Sequence, residues 1–295
     1  MTDFENQSSL PISGPIMIVG GTSAVASVLS RRLGRVAEII TAGRDGCDFD
    51  VDLRRPADEI RVPAGTAVVV NAAASFHSNS DDQFIESAEV NVLGPLKLLS
   101  ACHAATVGQF VQISSIFANL PPESTYFTNY ALHKRQGDEN LLALSDAASE
   151  TVCTVLRPTR LYGPSDFHKE HQPFLHSLVD DAAAGREIVL SGNHDAHRNF
   201  LHIDDFAAIV ERVIALRLPG CHDCPSLERL SYEKIAESAA AAFGGRSTVR
   251  FDGLGPDTPD DADSTDASLY ELIGVAPTIS FAEGMRIEAR RRGAS

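Results

Sequence analysis

Between residues 15 and 158, short apolar runs alternate with longer segments of helical spacing, and this rhythm leaves few architectures open. "PIMIVGG" reads as a buried strand feeding a tight Gly-Gly turn. "SAVASVLSRRLG" follows with helical apolar spacing and a stop at Gly34. "AEIITAG" and "TAVVVNAAA" are the next strands, the second apolar throughout, as befits a strand covered on both faces. Residues 81–106 read as a helix opened by Asp81 and Asp82 and bent at Pro95. "GQFVQISS" is a strand, "NYALHKRQGDENLLALSDAA" a helix and "ETVCTVLRP" another strand. Parallel strands need crossover connections, which helices supply. The alternation therefore predicts an α/β fold: a doubly wound parallel sheet with helices on both faces.

After Pro158 the rhythm changes. "TRLYGPSDFHKEHQPFL" is loop-rich and leads into a helix ending near Gly185. "EIVLSG" is a short strand, while "DDFAAIVERVIAL", "SYEKIAESAAAAFGG" and the C-terminal segment have helical spacing. The expected organisation is a polar flexible tail over 1–14 and a sheet domain over 15–160, completed by 199–217. A smaller lobe is expected from 161–198 and 218–295. The Asp257–Asp266 run reads as a solvated loop, and His168, His171 and His176 as a polar loop near a pocket rather than metal ligands.

The formal charge of −15 excludes nucleic acid and anionic membrane as favoured partners. An anionic ligand needs a local cluster of arginines or backbone N–H groups. The five cysteines are scattered, and the first fourteen residues carry neither a basic n-region nor an apolar core, so a cytoplasmic, reducing setting is expected. "CHDC" at 221–224 has no second ligand pair and reads as a short strand holding two cysteines.

"YALHK" carries the chemistry. Tyr130 and Lys134 stand four residues apart, on one face of the expected helix, in a chain with four lysines. A phenol beside an ammonium has its ionised form favoured, which makes tyrosine a usable acid or base near neutral pH. The first turn, Gly20-Gly21-Thr22-Ser23-Ala24-Val25-Ala26, has the form of a phosphate loop opening a helix, with Ser23 where a second glycine is usual.

Six segments in order resemble the extended short-chain dehydrogenase/reductase family, from about Met17 to Gly284. They are "IMIVGGTSAVA", "VVVNAAA", "NVLGPLKLLSAC", "FVQISSIFA", "YALHK" and the pair "VLRPTRLYGP" and "RNFLHIDDFAAIV". The resemblance implies a Rossmann domain with a C-terminal substrate lobe. It implies Tyr130 as general acid/base, Lys134 as the group lowering its pKa and binding the nicotinamide ribose, and Ser115 as holder of the substrate oxygen. It lays a dinucleotide along Gly20, Thr22, Ser23, Ala24 and Val25, with Arg44, Asp52 and Leu53 toward the adenosine. Ala72 and Ala73 follow the strand beside it, and Asn91, Tyr130, Lys134 and Pro158 lie toward the nicotinamide. Asn91 resembles a residue that props the lysine through water.

Where related dehydratases carry Asp-Glu after the catalytic hydroxyl, this chain has Ile116 and Phe117, which cannot move a proton. That leaves carbonyl/alcohol redox or epimerisation through a transient ketone. Gly43-Arg44 favours NADP(H), with NAD(H) kept open by the adjacent Asp45. Arg198 resembles an arginine that binds the diphosphate of nucleotide sugars, with Phe117 and Ser115 also on the substrate side; a pairing of Arg198 with Asp204 or Asp205 is the competing reading. The expectation is reduction of a keto group on a nucleotide-linked sugar. The alternatives are a 4-epimerase on tightly held NAD and a dinucleotide-sensing regulator. The family leaves room for a homodimer.

Overall fold

The computed structural model describes residues 12–76, 80–145, 150–163, 172–254, 257–260 and 266–294. It resolves into two compact units. The first comprises Met1–Arg157, Ala207–Asp223 and Leu272–Val275; the second comprises Pro158–Phe206, Cys224–Glu271 and Ala276–Ser295.

The first unit is built on strands β1 (Ile16–Val19), β2 (Ile39–Gly43), β3 (Phe49–Asp50), β4 (Val68–Asn71), β5 (Gln109–Ile113) and β6 (Val152–Pro158). Beyond β6 lies a seventh strand, Gly220–Cys224, so the spatial order from that edge is Gly220–Cys224, β6, β5, β4, β1, β2, β3. β1 pairs in parallel with β2 and β4, and β5 with β4 and β6. β1 and β4 are buried along their whole length. That burial explains their unbroken apolar sequence: a strand sandwiched between helix layers has no solvent face. Met17, Val69, Phe110 and Val155 pack with Leu98 and Leu99 in one such layer.

Helix α1 (Ala24–Leu33) connects β1 to β2. The single helix expected over 81–106 is three pieces: α2 (Asp81–Ala88), a π turn over Glu89–Leu93, and α3 (Gly94–Ala104). Ser80 caps α2 ahead of the two aspartates, and Pro95 sits in the first turn of α3, where its missing N–H costs nothing. The break lies in the π turn rather than at the proline. Helix α4 (Asn129–Ser145) runs from the tyrosine–lysine segment. The switch in strand order falls between β1 and β4, and ligands of such sheets bind beyond the strand C-termini at that crevice. A polar layer marks this end: Asn71 Nδ2 donates to Gln112 Oε1 at 2.8 Å, while Asn71 Oδ1 accepts from Ala73 N–H at 3.2 Å.

The second unit has its own core. Its strands are β7 (Arg160–Tyr162), β8 (Ile188–Leu190), β9 (His197–Arg198) and β10 (Phe200–His202), followed after β11 (Gly220–Cys224) of the first sheet by β12 (Leu230–Ser231) and β13 (Val249–Phe251). They form three two-stranded ribbons, β7–β10 and β8–β13 parallel, β9–β12 antiparallel. Helix α5 (Pro173–Ala184) ends at Gly185 with φ +66°, a left-handed cap that suits glycine. Helix α6 (Ile203–Leu216) follows β10 and from Ala207 onward belongs to the first unit, and α7 (Tyr232–Ala242), α8 (Ser268–Ile273) and α9 (Phe281–Arg291) complete the chain, with Leu272–Val275 again in the first unit. Tyr162, Phe200 and Phe281 meet edge to face or tilted at centroid distances of 5.0–5.9 Å. The short ribbons escape sequence reading because two or three residues carry no periodicity.

Asp257 and Asp260 lie in a solvated loop, as expected of the acidic run, but both are also pinned by hydrogen bonds. Asp257 accepts N–H groups of Asn193 and His194, and Asp260 accepts that of His197 as well as Arg229 Nη2. Residues 261–265, and His168 and His171, lie outside the described residues, while Asp266 accepts from Ser268 N–H at 2.9 Å and His176 lies on helix α5 rather than in a loop.

Candidate active site

The first turn is tighter than its sequence suggests. Gly20 has φ +81°, and a Cβ there would lie 2.7 Å from Ala73 N and 2.8 Å from its Cα. Backbone crosses backbone at this point, between the end of β1 and the residues following β4, and only glycine fits. Ser23 is extended and is the N-cap of α1: its Oγ accepts from Ala26 N–H at 3.1 Å. The hydroxyl that departs from the glycine pattern therefore satisfies one helix N–H. Ala24 and Val25 N–H have no intrahelical acceptor, and the first turn carries no acid, so an anion is favoured there. Thr22 is exposed beside them. A dinucleotide's pyrophosphate fits this cradle.

Arg44 is exposed in the loop after β2. That loop is folded by Asp48, whose Oδ2 accepts from Thr41 N–H at 2.9 Å and Thr41 Oγ1 at 2.7 Å. Asp52 is already engaged. Arg54 grips its carboxylate through Nε and Nη2, at 2.9 and 2.6 Å, and holds its pKa at about 2. Arg54 also reaches Glu86 at 2.8 Å. Leu53 is buried where a Cβ on Gly94 would collide with its own Cβ. Ala72 and Ala73 follow β4 at the Gly20 crossing, with Ala72 N–H bonded to Val19 O at 2.9 Å, and Pro158 is buried at the end of β6.

Ser115, Tyr130 and Lys134 converge as their order implied. Ser115 leaves β5 in extended conformation and caps a 3₁₀ turn over Ile116–Asn119, its Oγ accepting from Phe117 N–H at 3.3 Å. It shares a hydrogen bond with the Tyr130 hydroxyl. The half-buried Tyr130 ring stacks on Phe76, centroids 4.7 Å apart. Lys134 is fully buried; its Nζ donates to Ile113 O at 3.1 Å and lies 5.8 Å from the Tyr130 ring centroid.

The electrostatics differ from expectation. Burial pushes the Tyr130 phenol up rather than down, with the Ser115 hydrogen bond opposing it in part. Burial also lowers Lys134 to about 8, so its charge is a weaker lever on the phenol than the bare spacing implied.

Asn91 departs from the water-bridging role. Its Oδ1 accepts from Ser75 N–H at 3.0 Å, and its Nδ2 donates to Ser75 O at 2.6 Å and Ser87 Oγ at 3.1 Å. The side chain clamps the segment that bears Phe76. Its backbone carbonyl meets α4 at Gly137, where a Cβ would strike it.

Arg198 is buried in the second unit, its Nη1 donating to His197 O at 2.7 Å and Pro259 O at 3.0 Å, with the guanidinium 4.5 Å from the Tyr232 ring centroid. Asp205, one proposed partner, instead accepts Thr278 N–H and Oγ1 and Ile279 N–H. Two polar residues went unremarked in the sequence, Asp138 and Arg157, and Ser114, which read as a strand end, donates to Asp138 Oδ2 at 2.8 Å. Asp138 follows Lys134 by the same four-residue step that links Tyr130 to Lys134, and that spacing was the available signal. Among the described residues, no group of three His, Cys, Asp or Glu side chains could hold a metal, and no helix is long and apolar enough to cross a membrane.

A parallel sheet with a glycine crossing at its switch point, and a tyrosine–lysine helix facing the end of β5, defines the extended short-chain dehydrogenase/reductase class of NAD(P)-dependent enzymes. Within it, residues 16–219 match the NAD dependent epimerase/dehydratase family, and the chain belongs to that family. It is 23% identical over 296 residues to "Probable GDP-L-fucose synthase 1" of Oryza sativa subsp. japonica, covering 92% of this chain and 90% of that protein. It is 26% identical over 267 residues to dTDP-4-dehydro-6-deoxy-D-allose reductase of Streptomyces bikiniensis, covering 84% and 78%. The crystal structure of a GDP-L-fucose synthetase from Naegleria fowleri bound to NADP superposes with a TM-score of 0.77 at 18% identity, over 96% of this chain and 93% of that one.

Proposed function

We propose that this chain reduces the keto group of a nucleotide-linked sugar, with NADPH as the favoured donor. The carrying observation is the shared hydrogen bond of Ser115 and Tyr130 beside buried Lys134, followed by the unreactive Ile116 and Phe117. A bound nicotinamide dinucleotide supplies the hydride. Tyr130 Oη delivers the proton to the developing alkoxide, and Ser115 Oγ donates to the same oxygen. A phenol raised by burial is protonated at neutral pH, the state that reduction requires. Lys134 binds the nicotinamide ribose and, when charged, eases loss of the phenolic proton. Phe117 follows the catalytic hydroxyl on the substrate side, and the Arg198 guanidinium, fixed over Tyr232 in the second unit, has the chemistry to bind a diphosphate. Two curated relatives whose names describe a sugar-nucleotide synthase and a dehydro-sugar reductase support this reading.

The test is NADPH consumption by purified protein supplied with dTDP-4-dehydro-6-deoxy-D-allose, and NADP⁺ reduction with GDP-L-fucose as the reverse reaction. Turnover with either supports a reductase. Inactivity with both, together with co-purified NAD and conversion of UDP-glucose to its 4-epimer, replaces it with an epimerase. Dinucleotide binding without any turnover favours a sensing role.

A further inference from the structure

We propose that Asp138 is a positioning residue that keeps Lys134 charged and locks the helix bearing Tyr130 and Lys134 to the strand bearing Ser115. The proposal rests on the oxidoreductase reading of those three residues. Tyr130, Lys134 and Asp138 step along one face of α4 at four-residue intervals. Asp138 is 1% exposed, and a carboxylate at that depth needs partners. Its Oδ2 accepts from Ser114 Oγ at 2.8 Å and from Arg157 Nε at 2.8 Å. Ser114 immediately precedes Ser115, and Arg157 lies on β6, so one carboxylate ties β5, β6 and α4 together. Arg157 Nη1 donates to Asn119 Oδ1 at 2.6 Å, fixing the end of the turn that contains Phe117. Asn119 Nδ2 in turn donates to Asp223 at 2.9 and 3.0 Å.

The Lys134 ammonium is 2% exposed and donates to one carbonyl, a poor substitute for water around a cation. Burial lowers it, and the Asp138 carboxylate is the charge that opposes this. Burial raises Asp138 in turn, opposed by Arg157, Ser114 and Lys134. The other titratable groups that interact with Asp138 are the Cys153 thiol on β6, the Cys221 thiol on β11 and the Tyr130 phenol, each pushed up by burial and by Asp138. Asp223 acts on Arg157 from the β11 side. Toward α2, His133 bonds to Ser87 and is driven toward its neutral form by burial. Removing the Asp138 charge therefore makes Lys134 lose its proton at lower pH.

The experiment measures NADPH and NADH affinity by fluorescence titration from about pH 7 to 10, where Lys134 titrates, with kcat followed in parallel once a substrate is in hand. Asp138→Asn moves the alkaline fall-off to lower pH by about one unit, the lower end of what a close opposite charge produces. Asp138→Glu, which keeps the charge, retains the wild-type profile. An unshifted profile in folded Asp138→Asn, whatever its loss of thermal stability, overturns the proposal. If Asp138→Asn does not fold, Asp138→Ser, which removes the same charge and keeps a small polar group, decides by the same shift. Tyr130→Phe separates the two readings. Full turnover in that variant removes Tyr130 as the proton donor, whereas the pH profile of dinucleotide affinity still decides the part played by Asp138.

Discussion

Replacing Gly20 with alanine isolates the contact that opens the dinucleotide site. Gly65 supplies the control: its φ is +83° against +81° at Gly20, but a Cβ at Gly65 meets nothing within 4 Å. A left-handed backbone costs an L-residue about 1–2 kcal/mol. Alanine recovers about 0.4–1 kcal/mol by restricting the unfolded chain. Gly65→Ala should therefore destabilise by about 1 kcal/mol or less. Gly20→Ala carries the same backbone terms plus a collision with Ala73 N at 2.7 Å and Cα at 2.8 Å. Those atoms are backbone held by Ala72 N–H to Val19 O and Ala73 N–H to Asn71 Oδ1, so they cannot swing away as a side chain would. Relief requires β1 and the residues after β4 to separate, adding about 1–3 kcal/mol, the usual range for overpacking. Denaturant unfolding reads the first number and isothermal titration with NADPH the second. The expected result is normal affinity for Gly65→Ala and at least about a tenfold loss for Gly20→Ala, equivalent to about 1.4 kcal/mol. Equal stability and equal affinity in the two variants would refute the reasoning and free the first turn from any role in shaping the site.

Tyr130→Phe should leave dinucleotide affinity almost unchanged while lowering turnover by on the order of 10²-fold or more, with Tyr126→Phe much milder; steady-state kinetics decides. Arg44→Asp should shift the NADPH/NADH affinity ratio toward NADH, and an unchanged ratio would remove Arg44 from the cofactor site. Asp260 has its carboxyl pushed well below the ordinary range, chiefly by the His197 N–H bond. Its contribution to stability is therefore complete above the unfolded carboxylate pKa and is lost as pH falls through the lower folded value. Asp260→Asn should flatten the acid limb of the melting profile.

The central sheet was legible because each strand is long enough, and buried enough, to exclude polar residues: "IMIV" and "VVVN" have no solvent face to encode. β9 and β12, at two residues each, encode nothing by period. The Tyr130–Lys134 pair could be located from its four-residue step, and Ser115 only from the resemblance of its segment to the family's, whereas the electrostatics of the group could not be read. The Tyr130–Lys134 step predicts nearness, but the sign of the phenol shift depends on how much protein surrounds both groups, and burial prevails. Asp52 illustrates the same limit. Its segment resembles the family's near the adenosine, but nothing in the sequence shows that Arg54, two residues on, grips its carboxylate. Likewise Ser23 looked like a defect in a glycine pattern until the cap it provides to Ala26 is counted.

The π turn over Glu89–Leu93 can be understood as a one-residue insertion within an otherwise continuous α-helix. A deletion there would leave hydropathy, charge and helix propensity nearly untouched, and a comparison of compositions would pass over it. Yet it would rotate everything on one side by about 100°, the angle per residue at 3.6 residues per turn. Asn91 would swing off Ser75, and its carbonyl would leave the notch that Gly137 keeps open on α4. The stack of Phe76 on Tyr130 would lose its anchor without a single residue of the tyrosine–lysine segment being changed. Helix phase at this turn is thus an inherited quantity in its own right, and a natural variant lacking Glu89 or Val90 would retain every motif quoted above while being unable to assemble them.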